Sequence, residues 1–211
     1  MSTSKPLLAL ELAVLFILTP LALLFLPRVF PPLPLLWIVA AYCLVVLRRD
    51  PGFDRSQLWN PAPIRANLLS ILLGAAVVAA LLSAGVYFFA PQLLFSFVRS
   101  HPAFWALVML FYPVVSVVPQ SLVYRAFFLH RYQPLAASPT RLIVASAAAF
   151  GLMHIVFRNP VAPALTSAGG LLFAWRYQRT RSLFVSSLEH ALYGCFLFTI
   201  GLGQYFYVRL V

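Results

Sequence analysis

An all-α, polytopic transmembrane helix bundle of about seven spans is the fold class this sequence predicts, on three observations. Of its 211 residues, 63% are hydrophobic and only 9% charged, more apolar surface than a water-soluble domain of this size can hide. The apolar residues fall in runs long enough to cross about 30 Å of hydrocarbon. The 15 basic residues, against 4 acidic ones, sit mostly between those runs, where Lys and Arg set orientation and meet anionic headgroups. A nucleic-acid partner is therefore discounted despite a formal net charge of +11, and membrane lipid is the expected partner.

Taken in order, spans are predicted at 7–26, 33–47, 67–90, 103–130, 142–157, 161–175 and 183–205. The first follows a lone Lys5, and no small-residue cleavage pattern follows Leu26, so it is expected to stay in place as a span. The second is short and ends on Arg48 and Arg49. After it, RRDPGFDRSQLWNPAPIR, with Asp50, Asp54, its prolines and Trp59, reads as an interfacial loop. The fourth span is interrupted by Pro113 and Pro119 and carries Gln120, Ser121 and Arg125, at a depth where each unsatisfied donor costs several kcal/mol. The fifth and sixth are short, and Pro160 with Pro163 predicts a broken or tilted sixth span. Cys43 and Cys195 fall inside apolar runs, which argues against a disulfide framework. No repeat or second domain is visible, so residues 1–211 are expected to form a single integral membrane domain.

If the spans alternate, Lys5, Arg48, Arg49, Arg55, Arg65, Arg131, Arg141, Arg176, Arg179 and Arg181 share one side, and Arg28, Arg99, Arg158 and Arg209 share the other. The positive-inside rule then predicts a cytoplasmic N-terminus. Gln120 lies 11 residues before Arg131, His154 13 after Arg141 and His190 9 after Arg181. All three are thus placed roughly 13–20 Å from their basic anchors, the coincidence of depth that a site requires. Ser121 and Arg125, four apart, share a helix face, with Gln120 about 140° away from Arg125. Arg125 could instead snorkel to an interface about 9 Å away. The prolines are expected to free carbonyls that satisfy Gln120. Phe150 and His154 are also four apart and share a face. Glu189, beside His190, could pair with Arg179 or Arg181. Tyr124, Phe150, Glu189 and Gly194 are expected to line the cavity.

On these residues the chain resembles the CPBP family, the type II CAAX prenyl endopeptidases and bacteriocin-processing or immunity proteins. QSLVYR at 120–125 matches a Glu-Glu-x-x-x-Arg motif at Arg125, and FGLMH at 150–154 matches Phe-x-x-x-His in full. HALYG at 190–194 matches His-x-x-x-Asn or Asp only at His190. The resemblance covers roughly 103–196, the family-like core. It implies an intramembrane endopeptidase acting on membrane-associated or lipidated peptides, with Gln120, Ser121, Arg125, His154 and His190 at the catalytic positions. In the family a glutamate activates water while the histidines bind metal or hold the oxyanion. That chemistry is sound, since a desolvated carboxylate becomes a better base and imidazoles stabilise developing negative charge. His154 and His190 are the implied metal ligands, and the cofactor stays open between zinc and none.

The departures fall on the reacting groups. Gln120 and Ser121 stand where the family has its paired carboxylates, and Gly194 where it has Asn or Asp. Two histidines alone fall short of the three protein ligands of catalytic zinc. Three explanations follow: an inactive relative that still binds peptide, a base supplied by Glu189 after local unwinding, or a non-enzymatic membrane module of the immunity type. A small transporter would usually show inverted repeats, and none is seen. The expected cavity is conical, opening toward the cytoplasm or laterally to lipid, and the expected location is the bacterial inner (plasma) membrane.

Overall fold

The computed structural model describes residues 4–25 and 32–207; Leu26, Arg28 and Arg209, used in the predictions above, lie outside the described residues. Within them the chain is helical, with no strand. The long helices are α1 (Lys5–Phe25), α2 (Pro32–Arg49), α3 (Ile64–Phe89), α4 (Pro102–Arg131), α5 (Pro139–Phe157), α6 (Val161–Thr180) and α7 (Leu183–Ile200). Their order matches the seven predicted runs, and five of them (α1, α3, α4, α5 and α7) are long and apolar enough to cross a membrane.

Two predicted boundaries are corrected by backbone chemistry. Pro160 precedes α6 and Pro163 lies in its first turn, where a missing N–H breaks no helical hydrogen bond, so α6 is continuous. The seventh helix stops at Ile200 rather than Tyr205 because Gly201 takes φ 106°. A Cβ there would lie 1.8 Å from the Leu93 carbonyl oxygen, so glycine alone fits. A short 3-10 turn, Leu202–Phe206, follows.

Polar side chains gather one end of the bundle. Glu11 of α1 accepts from Arg131 at 2.9 Å, from Tyr132 at 3.0 Å and from Tyr42 at 3.1 Å. His130 pairs with Asp50 at 2.9 Å, Tyr177 donates to Gln57 at 2.9 Å, and Ser182 donates to the Asn60 carbonyl at 2.5 Å while capping α7 through the Val185 amide. The interfacial loop is thereby tied to α4, α6 and the start of α7.

At the centre lies α4, where nine consecutive residues, Ser121 to Leu129, are buried. A helix apolar on all sides has to be enclosed by others. Phe16 of α1 meets Phe128 edge-on at 4.9 Å and Tyr124 at 5.5 Å. The helix widens into π turns at Pro113–Val117 and Leu122–Phe127. Pro119 cannot donate to the Val115 carbonyl, which instead accepts from the Trp37 indole at 3.0 Å. The freed carbonyl therefore serves α2, and Gln120 is satisfied differently, by donating to Ser116 Oγ at 2.9 Å. Helix α3 sits outermost against α7, and its exposed Leu69, Leu73, Phe88 and Phe89 suit contact with hydrocarbon.

Candidate active site

Two cavities, of about 330 and 350 Å³, share a wall made of Ser116, Gln120, His154, Phe157 and Phe206. The first lies among α3, α4, α5, α6 and α7 and is lined also by Phe150, Phe173, His190 and Gly194. The second lies among α1, α2, α4 and α5 and is lined by Phe16, Thr19, Leu36 and Tyr124. Gln120 and His154 thus form a polar waist between two largely apolar lobes. Of the predicted site residues, Gln120, Phe150, His154, His190 and Gly194 meet at the first cavity, and Tyr124 faces the second. Ser121, Arg125 and Glu189 line neither.

The two imidazoles are held by different means. At His154 the α-helix tightens into a 3-10 turn, and Nδ1 lies 2.7 Å from the Phe150 carbonyl oxygen. A carbonyl can only accept, so Nδ1 carries the hydrogen and Nε2 keeps its lone pair. His190 stacks on Phe173 with ring centroids 4.5 Å apart. Phe150 is wedged between the two histidines, at 4.7 Å from the His154 ring and 5.6 Å from His190. No third His, Cys, Asp or Glu joins them in a metal-holding group among the described residues, so this donor set does not make a zinc site.

Arg125 is wholly buried, at 0% exposure, which overturns the snorkelling alternative. Its guanidinium lies 4.3 Å over the Phe150 ring and 5.2 Å from that of Phe173. None of its three nitrogens has a hydrogen-bond partner among the described residues. Cation–π contact contributes about 2 kcal/mol when desolvated, against several kcal/mol to remove the charge from water. The rings offset part of that cost and leave every N–H unserved. Ser121 Oγ, Ser187 Oγ and His190 Nδ1 are likewise buried without partners.

Glu189 is committed elsewhere. Arg176 grips it through Nε at 2.8 Å and Nη2 at 3.1 Å, and donates from Nη1 to Asn67 at 2.9 Å and Ser70 at 3.0 Å. The predicted partners Arg179 and Arg181 are thus replaced by Arg176, and the predicted place in the cavity wall is not taken. Geometry explains both, because Glu189 and Arg176 are buried where α6, α7 and the start of α3 meet, while Arg179 stacks over Trp175 at 5.0 Å.

Sequence reasoning missed two residues here. Arg176 counted only as an orienting cation, although its hydrogen-bonded pair with Glu189 spans the α6–α7 hairpin. Tyr112 was not considered, yet a Cβ built on Gly194 would lie 2.3 Å from its hydroxyl. The space an Asn or Asp side chain would use at position 194 is filled by that ring.

Residues 102–196, from the first turn of α4 into the second half of α7, match the family model described as type II CAAX prenyl endopeptidase Rce1-like. The CPBP resemblance read from the three motifs holds over that segment, which contains Gln120, Ser121, Arg125, His154 and His190. No curated protein and no solved structure matches the chain. The chain is an integral membrane protein, and its residues 102–196 are similar to the Rce1-like family.

Proposed function

We propose that this protein is a CPBP-type intramembrane peptide-binding protein, built as an endopeptidase for membrane-associated or lipidated peptides but without the general base that hydrolysis needs. Gln120 carries the reading. It stands at the waist between two apolar lobes, beside His154, where a water would have to be activated, and a carboxamide accepts no proton at neutral pH. The one carboxylate on the neighbouring α7 is held by Arg176, so it is not free to substitute.

The residues present still suit binding. A chain lying across the waist places its backbone beside Gln120, whose carboxamide offers both a donor and an acceptor, and beside the free Nε2 of His154. The lobes on either side take apolar side chains or a lipid. In this reading residues 1–211 act as one membrane domain, with the basic end facing the cytoplasm of a bacterial inner membrane. An active endopeptidase is the second reading, favoured by the two imidazoles kept around Phe150.

The deciding experiment follows membrane peptides by mass spectrometry with the chain purified in non-ionic detergent. The unmodified protein is expected to leave them intact. Gln120→Glu combined with Ser121→Glu is expected to produce cleavage that His154→Ala abolishes. Cleavage by the unmodified chain that Glu189→Gln removes would overturn the reading in favour of an active enzyme.

A further inference from the structure

We infer that Arg125 binds a carboxylate brought by the peptide ligand, in place of one that the chain itself lacks. The inference rests on the peptide-binding reading above and names the group of the peptide that the site recognises.

The chain has four side-chain carboxylates, and each has a partner. Glu11 is held by Arg131, Tyr132 and Tyr42. Asp50 is held by His130 and the Gly52 amide, Asp54 by the Ser56 amide and Glu189 by Arg176. Arg125 has none of them. A guanidinium keeps its proton inside proteins, so it cannot shed the charge as a lysine or histidine would. The carbonyls loosened by the π turn at Leu122–Phe127 do not serve it either, since Nε, Nη1 and Nη2 all lack an acceptor among the described residues.

The surroundings are those of an anion site. His190 stacks on the same Phe173 ring and packs perpendicular to the same Phe150 ring that Arg125 lies over, so imidazole and guanidinium are set against one pair of rings. His190 Nδ1, Ser121 Oγ one turn before Arg125 and Ser187 Oγ one turn before His190 are further buried groups without partners among the described residues. A planar fork of N–H groups matches a carboxylate. Both rings and His190 belong to the wall of the first cavity, so a carboxylate entering beside His190 reaches Arg125 when the Phe173 ring turns aside. The rest of that wall, with Val78, Leu81, Leu82 and Leu165, suits apolar side chains next to the acid.

The test uses the 211-residue chain in non-ionic detergent and an apolar hexapeptide carrying an uncharged nitrobenzoxadiazole label, in three forms: the C-terminal acid, the C-terminal amide, and the amide with one glutamate side chain. The acid is expected to bind about 30-fold or more tightly than the plain amide, and Arg125→Met to erase that difference by weakening the acid alone. A preference carried by the glutamate-bearing amide instead sustains the site and assigns the carboxylate to a side chain. Equal binding of all three forms would overturn the inference while leaving peptide binding in place. If no form binds, the peptide reading itself fails. The guanidinium is then probed by thermal shift with octanoate against octanamide. A larger stabilisation by octanoate that Arg125→Met abolishes sustains an anion site, and equal shifts overturn it.

Discussion

Gly194 and Tyr112 show how one side chain can occupy another's place. The tyrosine hydroxyl lies where a Cβ at 194 would sit, so restoring the family's residue by Gly194→Asn overpacks the contact between α4 and α7. The variant is expected to lose about 1–3 kcal/mol of stability, read as a lower apparent Tm, and Tyr112→Ala in the same chain is expected to recover part of it. Full stability of Gly194→Asn with Tyr112 present would contradict the packing. At this scale the departures at 120, 121 and 194 were legible, because a motif fixes which residue type belongs at each position. Tyr112 was not, since nothing local links it to a glycine three helices later. Arg176 was hidden for a related reason: an arginine near a helix end reads as an interfacial anchor until the tertiary fold brings Glu189 and Asn67 to it.

The elements were legible where hydrophobic length decides them and less so where backbone detail does. Seven apolar runs became seven helices, because only a helix satisfies its own backbone in hydrocarbon. The end of α7 was misplaced because the apolar run continues past Gly201, whose left-handed φ stops the helix. The π turns of α4 left no periodic signal, and their prolines predicted a free carbonyl without saying that Trp37 would take it. The loop after α2 carries the element-scale prediction. Asp50 is held below the usual carboxylate range first by its hydrogen bond with His130 and then by the Gly52 amide. A depressed folded pKa means that this contribution is present above the unfolded value, about 3.9, and is lost as pH falls through the folded one. Asp50 is about a third exposed, so solvent screening keeps the effect below about 1 kcal/mol. The stability gap between the unmodified chain and Asp50→Asn is expected to close on acidification below about pH 4; a gap that stays constant across that window would remove Asp50 from the account.

For the whole molecule, the scarcity of acid is the organising fact. With four carboxylates, the bundle commits three to one end, at Glu11, Asp50 and Asp54, and one to the buried hub that joins α3, α6 and α7. None is left for the waist of the two cavities. The matched depth of Gln120, His154 and His190 was readable from helical rise alone, and they do meet at one cavity. What could not be read was the division of charge, which depends on which arginine reaches which carboxylate in three dimensions. The two buried arginines, Arg125 and Arg176, therefore make opposite predictions. The most direct test is the apparent Tm of Arg125→Met and Arg176→Met side by side in one detergent, without ligand. Arg176→Met strands Glu189 and is expected to lower Tm by about 6 °C or more, whereas Arg125→Met removes a charge with no partner among the described residues and is expected to match or exceed the unmodified protein. A fall for Arg125→Met as large as that for Arg176→Met would mean that Arg125 has its counter-charge inside the chain, and would contradict the account.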